Sequence, residues 1–360
     1  MCSGSLSLQW LYKHLRFERP LLDTKKLQSQ LSSSTALDKK PTTMERLDKY
    51  KPSNKDDQTV SILRSFYTHL PNDGRTNFIL DLEPLQTDEE LHDYAESLVN
   101  GFLIPMRSET IRTPFVTAQQ AALKAKCLDR DGSRCVLSKT RDKKDYPHDK
   151  PNTNKDTFGD LECVSVIPFS LAECNDETES EGLAKELTWT RLERFFPALI
   201  ARAKFTRKSI YETRNALTLE RGLYVQFGSF ACTLEPTDDR HSYCLLWRKF
   251  EAGGDRASWG SSLRLLMMRC HRGRHKLPTP ELLEIHSAVA HIFHEPGVRP
   301  YVERALDDLR KTEGLAESGS TNISSLLAIT SLGAFSSRAG GIEKVRAKLE
   351  PLEEEEENLG

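Results

Sequence analysis

The sequence predicts an α+β fold with segments attached to a folded body. Three observations point that way. Helical periodicity recurs in separate segments, short β-branched or alternating runs lie between them, and the ends are polar or charged. The chain has 360 residues, of which 38% are hydrophobic and 29% charged, ample for a buried core but polar for its size. No apolar run approaches the roughly 20 residues needed to cross a bilayer, so a membrane-spanning role is excluded at this level.

Residues 1–58 read as a flexible lead-in, with Ser32, Ser33, Ser34 and Thr35 in one cluster and Lys51, Pro52, Ser53, Asn54 and Lys55 in another. A helical region, 59–116, follows. Its clearest element opens with the capping box Thr87 and Glu90, and Leu91, Tyr94, Leu98 and Phe102 recur at helical spacing over 88–103. A second box, Thr117 with Gln120, opens a helix over 118–128 that Asp131 and Gly132 bring to a turn. Two strands are expected next, a short one at Cys135, Val136 and Leu137 and a stronger one from Cys163 to Phe169, separated by a hydrophilic loop from Ser138 to Asp160. An acidic insert from Glu173 to Glu186 precedes a helix over 187–203 that Pro197 kinks or divides. Residues 214–219 suit a loop leading into a short helix around Leu223, Tyr224 and Phe227. Phe230 to Leu234 and Tyr243 to Trp247 form an antiparallel pair, and two helices follow at 280–293 and 299–310. A domain of 117–312 thus precedes a C-terminal segment, 313–360, whose last twelve residues carry six glutamates and no base.

Eight cysteines with no Cys-x-x-Cys spacing disfavour a zinc ribbon. With no apolar signal core at the N-terminus, they are expected to be reduced thiols inside the cell, nuclear or cytoplasmic. The formal net charge of −2 is distributed unevenly, because ten Lys and Arg face six acids over 123–158, seven face two over 191–214, and five face none over 263–276. Such stretches attract phosphate if they converge, and DNA or RNA is the partner they suggest; protein partners are not legible. The residues placed in that role are Lys139, Arg141, Lys143, Lys144, Arg207, Lys208 and Arg214. His286, His291 and His294 cannot converge on one metal from a single helix, and a packing role is expected.

One ordered set of segments carries a resemblance. Arg130-Asp131-Gly132-Ser133-Arg134-Cys135-Val136-Leu137-Ser138 is followed by Val166-Ile167-Pro168-Phe169-Ser170, then by Asn215-Ala216-Leu217-Thr218-Leu219 and Phe227, and later by Leu277-Pro278 and the helix from Pro280 to His286. This order resembles the fungal branch of the HNH nuclease family over about 118–310. The resemblance implies a ββα-metal core, in which a β-hairpin and helix clasp one divalent cation such as Mg²⁺. It also implies a histidine general base near the end of the second strand, an asparagine bracing the intervening loop and a metal-binding histidine on the helix. Asn215 occupies the asparagine position, but Ser165 and Tyr224 stand where the two histidines belong. A hydroxyl has no useful basicity near neutral pH, and a phenol binds metal only once its proton is lost. Substitute ligands would be Asp160, Glu162 and His148, whose plainer reading is strand-edge and loop polarity. The expectation is therefore a nuclease-derived, nucleic-acid-binding or interaction module with a degenerate site. An active metal-dependent endonuclease and a scaffold without nucleic-acid contact are the alternatives.

Overall fold

In the computed structural model, the described residues are 40–107, 117–146, 156–172, 179–250, 257–271 and 273–312. They form a mixed α/β structure, dominated by helices with three small sheets. The first part is helical: α1 Lys40–Asp48, α2 Thr59–His69, α3 Asn72–Leu82, α4 Asp88–Leu98 and α5 Ile104–Arg107, with a π-helical turn Val99–Leu103 joining the last two. Then come α6 Ala118–Asp131, β1 Arg141–Asp142, β2 Phe158–Gly159 and β3 Leu161–Ser165. After them lie α7 Glu179–Phe195, α8 Ala198–Ala201, β4 Ala216–Glu220 and α9 Arg221–Gly228. The chain continues through β5 Cys232–Pro236, β6 Ser242–Phe250, β7 Ala257–Met267, α10 Pro280–His294 and α11 Val298–Thr312.

Both capping boxes form. Thr87 accepts from the Glu90 amide and Thr117 from the Gln120 amide, and each partner side chain returns the bond. Gly132 then ends α6 in the left-handed region at φ 64°, a conformation that side chains with a Cβ rarely adopt. Phe66, Phe78, Phe102 and Phe195 pack ring against ring between α2, α3, the π turn and α7. The approach of α3 to α7 is so close that a Cβ on Gly74 would lie 1.8 Å from the Phe195 carbonyl oxygen, so no larger residue fits there. The main hydrophobic cluster runs from Leu47 to Leu306 and includes side chains of both the helical region and the 117–312 region.

Several expected elements differ. The end of the lead-in is ordered into α1, and Leu47 and Tyr50 are buried. Just beyond it the Asp57 carboxylate accepts from Tyr50, Ser53 and the Thr59 amide. Burial works against its ionisation, but these bonds outweigh it and hold its pKa far below the usual carboxylate range. Cys135 to Leu137 is a turn rather than a strand. The Lys139 amide closes back on the Cys135 carbonyl, and only the Val136 amide reaches β4, at Thr218.

The strand at 163 ends at Ser165 because Pro168, which has no amide to give, begins a 3₁₀ turn at Phe169. Residues 179–186 of the acidic insert extend α7, and Pro197 separates α7 from α8 as its ring demands. Residues 216–220 are a strand, not a loop. They pair antiparallel with β3, Ser165 opposite Ala216 and Leu161 opposite Glu220, and α9 follows without an intervening loop. The third sheet has a strand that the periodicity does not reveal: β6 pairs with both β5 and β7.

Candidate functional site

Of the residues proposed for chemistry, Ser165 ends β3, Asn215 immediately precedes β4 and Tyr224 lies on α9. Alternation puts Cys163 and Ser165 of β3 with Ala216 and Thr218 of β4 on one face, and Val164, Leu217 and Leu219 on the other. Ala216 packs with Leu123 and Cys127 of α6, while Val164, Leu217 and Leu219 join the main cluster with Phe227 of α9. The pair is thereby held between two helices.

Asn215 is the most constrained polar residue of the group. It is fully buried; its Oδ1 accepts from the Ile167 amide at 2.8 Å, and its Nδ2 donates to the carbonyls of Ile167 and Ile210, both at 2.9 Å. Its own carbonyl accepts from the Val166 amide at 2.7 Å. One side chain thus satisfies three backbone groups where β3 turns away, groups that burial would otherwise leave without partners. Arg130, also fully buried, supports the same turn from outside. It forms a fork to the Asp131 carboxylate at 2.7 Å and donates to the Thr213 carbonyl, two residues before Asn215. The sequence shows Arg130 only as the start of the run Arg130 to Ser138 and carries no signal of these contacts.

Ser165 is 5% exposed at the end of β3, and Tyr224 is half-buried on α9, which packs against both strands. Asp160 and Glu162 are not gathered into one ligand set. Asp160 pairs with Lys143 at 2.5 Å, whose hydrogen bond holds its pKa below the usual range, and Glu162 pairs with Lys124 of α6 at 2.8 Å. His148 lies outside the described residues. Among the described residues, no group of three or more His, Cys, Asp or Glu side chains could hold a metal ion. Glu220, at the β4 end, accepts from Ser138 at 2.8 Å and Thr140 at 2.7 Å, tying the 135–140 turn to the strand pair.

The basic residues divide into those already engaged and those exposed. Arg141 donates to Asp156 at 3.1 Å, as Arg134 does at 3.2 Å, and Lys139 donates to the Val136 carbonyl at 2.8 Å. Arg214 is taken up by the carbonyls of Ala203 and Lys204, by Glu212 and by Ser209, and so fastens a turn rather than facing solvent. Arg207 pairs with Glu186 and lies over the Trp189 ring. Lys144 and Lys208 are exposed, and Lys143 remains more than half exposed beside Asp160.

The α10 histidines have the packing role expected of them. His286 is buried, stacked on Phe227 at 3.7 Å, bonded through Nδ1 to Thr233 and through Nε2 to the Phe227 carbonyl. Burial pushes its pKa down to about 3, so it is neutral at physiological pH. His291 pairs with Glu235 at 2.9 Å, and His294 reaches the Phe230 carbonyl at 2.9 Å. Two concavities are small. One is lined by Gly101, Lys185 and Thr188 and holds about 10 Å³; the other is lined by Arg202, Glu281 and Glu284 and holds about 40 Å³. Each has room for little more than water, and neither is lined by β3, β4 or α9. No helix of the described residues is long and apolar enough to cross a membrane. Comparison with protein-family models, curated proteins and solved structures gives no match for this chain.

Proposed function

We propose that the chain is a nuclease-derived module of HNH type that binds nucleic acid without cleaving it, with β3, β4 and α9 retained as a ββα scaffold. The observation that carries this reading is the asymmetry among the three motif positions. Asn215 has the bracing contacts that the resemblance implies for it, whereas Ser165 and Tyr224 offer neither a base nor a neutral nitrogen ligand. The donors do not suit Mg²⁺, which favours carboxylates and water. Asp160 and Glu162, which could supply carboxylates, are instead paired with Lys143 and Lys124. A positioned general base contributes about 10²- to 10⁴-fold to such reactions, and its loss would slow cleavage by that factor.

Binding in this reading draws on exposed lysines, Lys143, Lys144 and Lys208, rather than on the arginines that fasten turns. The test is a titration of labelled duplex DNA and single-stranded RNA with the full chain at several salt concentrations. Affinity that falls steeply with salt for either ligand supports the proposal, because each neutralised phosphate releases counterions. Absence of binding at low salt overturns it and leaves the scaffold reading.

A further inference from the structure

The α6 face against the strand pair brings two cysteines together. Cys127, fully buried on α6, lies in the cluster with Leu123 and Ala216, and Cys163, half-buried on β3, packs against that cluster. Neither sulfur is in a disulfide, and the two side chains are within hydrogen-bonding reach of each other. Their small side chains, with that of Ala216, allow the helix to lie close on the strands. The two sulfurs come from elements that pack on one another, α6 on β3.

We propose that Cys127 and Cys163 are a reversible disulfide site, oxidised by a low-molecular-weight disulfide such as oxidised glutathione. Cys163, the more accessible of the two, loses its proton and attacks one sulfur of the small disulfide, expelling one thiolate. Cys127 then loses its proton and attacks Cys163 Sγ, expelling the second thiolate. Two protein thiols become one disulfide, one small disulfide becomes two thiols, and the two protons released go to them. The hydrogen bond from Cys163 holds the Cys127 thiol below the usual thiol range, and the nearby Arg130 cation acts in the same sense against burial. The bond would staple α6 to β3 across a closed loop that contains the 135–140 turn, restricting the unfolded chain and raising Tm.

The experiment treats the full chain with oxidised glutathione, blocks remaining thiols by alkylation and maps the peptides without reduction. The expected result is a Cys127–Cys163 linked peptide that disappears after dithiothreitol, with a Tm higher by a few degrees in the oxidised protein. Cys163→Ser should abolish both the link and the Tm rise. A lasting glutathione adduct on Cys163 beside an alkylatable Cys127 would overturn the proposal. So would finding both residues alkylated after the half-buried Cys244 and Cys270 have reacted, or Cys127 linked to any other cysteine.

Discussion

Asn215 shows how one residue can be read in the sequence and still be understood only in the structure. Its identity stood out because the resemblance assigns it a bracing role, but an asparagine there is equally at home as a turn residue bonding its own backbone. Two hydrogen bonds to Ile167, 48 residues away, with a third to the nearby Ile210, give it a tertiary function. Asn215→Ala leaves these buried backbone groups without partners, at about 1–3 kcal/mol for each group. Chemical denaturation should therefore show a loss of at least about 3 kcal/mol, while an unchanged midpoint would show that water replaces the amide. His286 makes a second prediction. Its pKa is about 6.5 when unfolded and about 3 when folded, so the unfolded chain alone takes up a proton between those values. Stability should be retained above about pH 6.5 and lost as pH falls toward about 3. His286→Leu should be less stable at neutral pH, with Thr233 and the Phe227 carbonyl deprived of their partner, and should lose less stability between about pH 6.5 and pH 5. Equal acid sensitivity in both proteins would assign the effect to other groups.

Elements were legible where local chemistry is decisive and obscure where pairing is long-range. Capping boxes, the Gly132 stop and the α10 periodicity are contained within a few residues, so α4, α6 and α10 follow from the sequence. Residues 216–220 lack a strand signal of their own because all but Glu220 are buried, which erases the alternation of a half-exposed strand. They are extended because β3, about fifty residues earlier, supplies the partner. Cys135 to Leu137 is the reverse case, a short run β-branched at its middle residue without a strand to pair along its length. The strand pair and α9 also carry the most specific functional prediction. Under the proposed HNH reading, Ser165→His with Tyr224→His supplies the two motif histidines beside Asn215, and Mg²⁺-dependent plasmid cleavage should appear or rise at least about 10²-fold. A folded double variant with no gain would show that the scaffold does not present these positions to a common metal. Ser165 is nearly buried, so circular dichroism and the thermal midpoint must accompany the assay.

At the scale of the whole molecule, charge rather than fold shapes the functional account. The formal net charge of −2 includes six glutamates within residues 349–360, so the remainder is positive. Deleting residues 349–360 should strengthen nucleic-acid binding more at low salt than at high salt, since surface electrostatics are screened over about 10 Å at 0.1 M. An affinity unchanged at every salt concentration would remove the tail from the electrostatic balance. The main hydrophobic cluster, from Leu47 to Leu306, takes in the helical region, where α2 packs on α10 and α3 on α7. The central claim is retention of a binding scaffold without its chemistry, and one assay reads both halves. Supercoiled plasmid is incubated with the full wild-type chain and Mg²⁺ at low salt, then run on a gel before and after the protein is stripped away. The account predicts plasmid that is retarded with protein present and still supercoiled once it is removed. Accumulation of nicked circles that a chelator prevents, or plasmid that is never retarded, would contradict it.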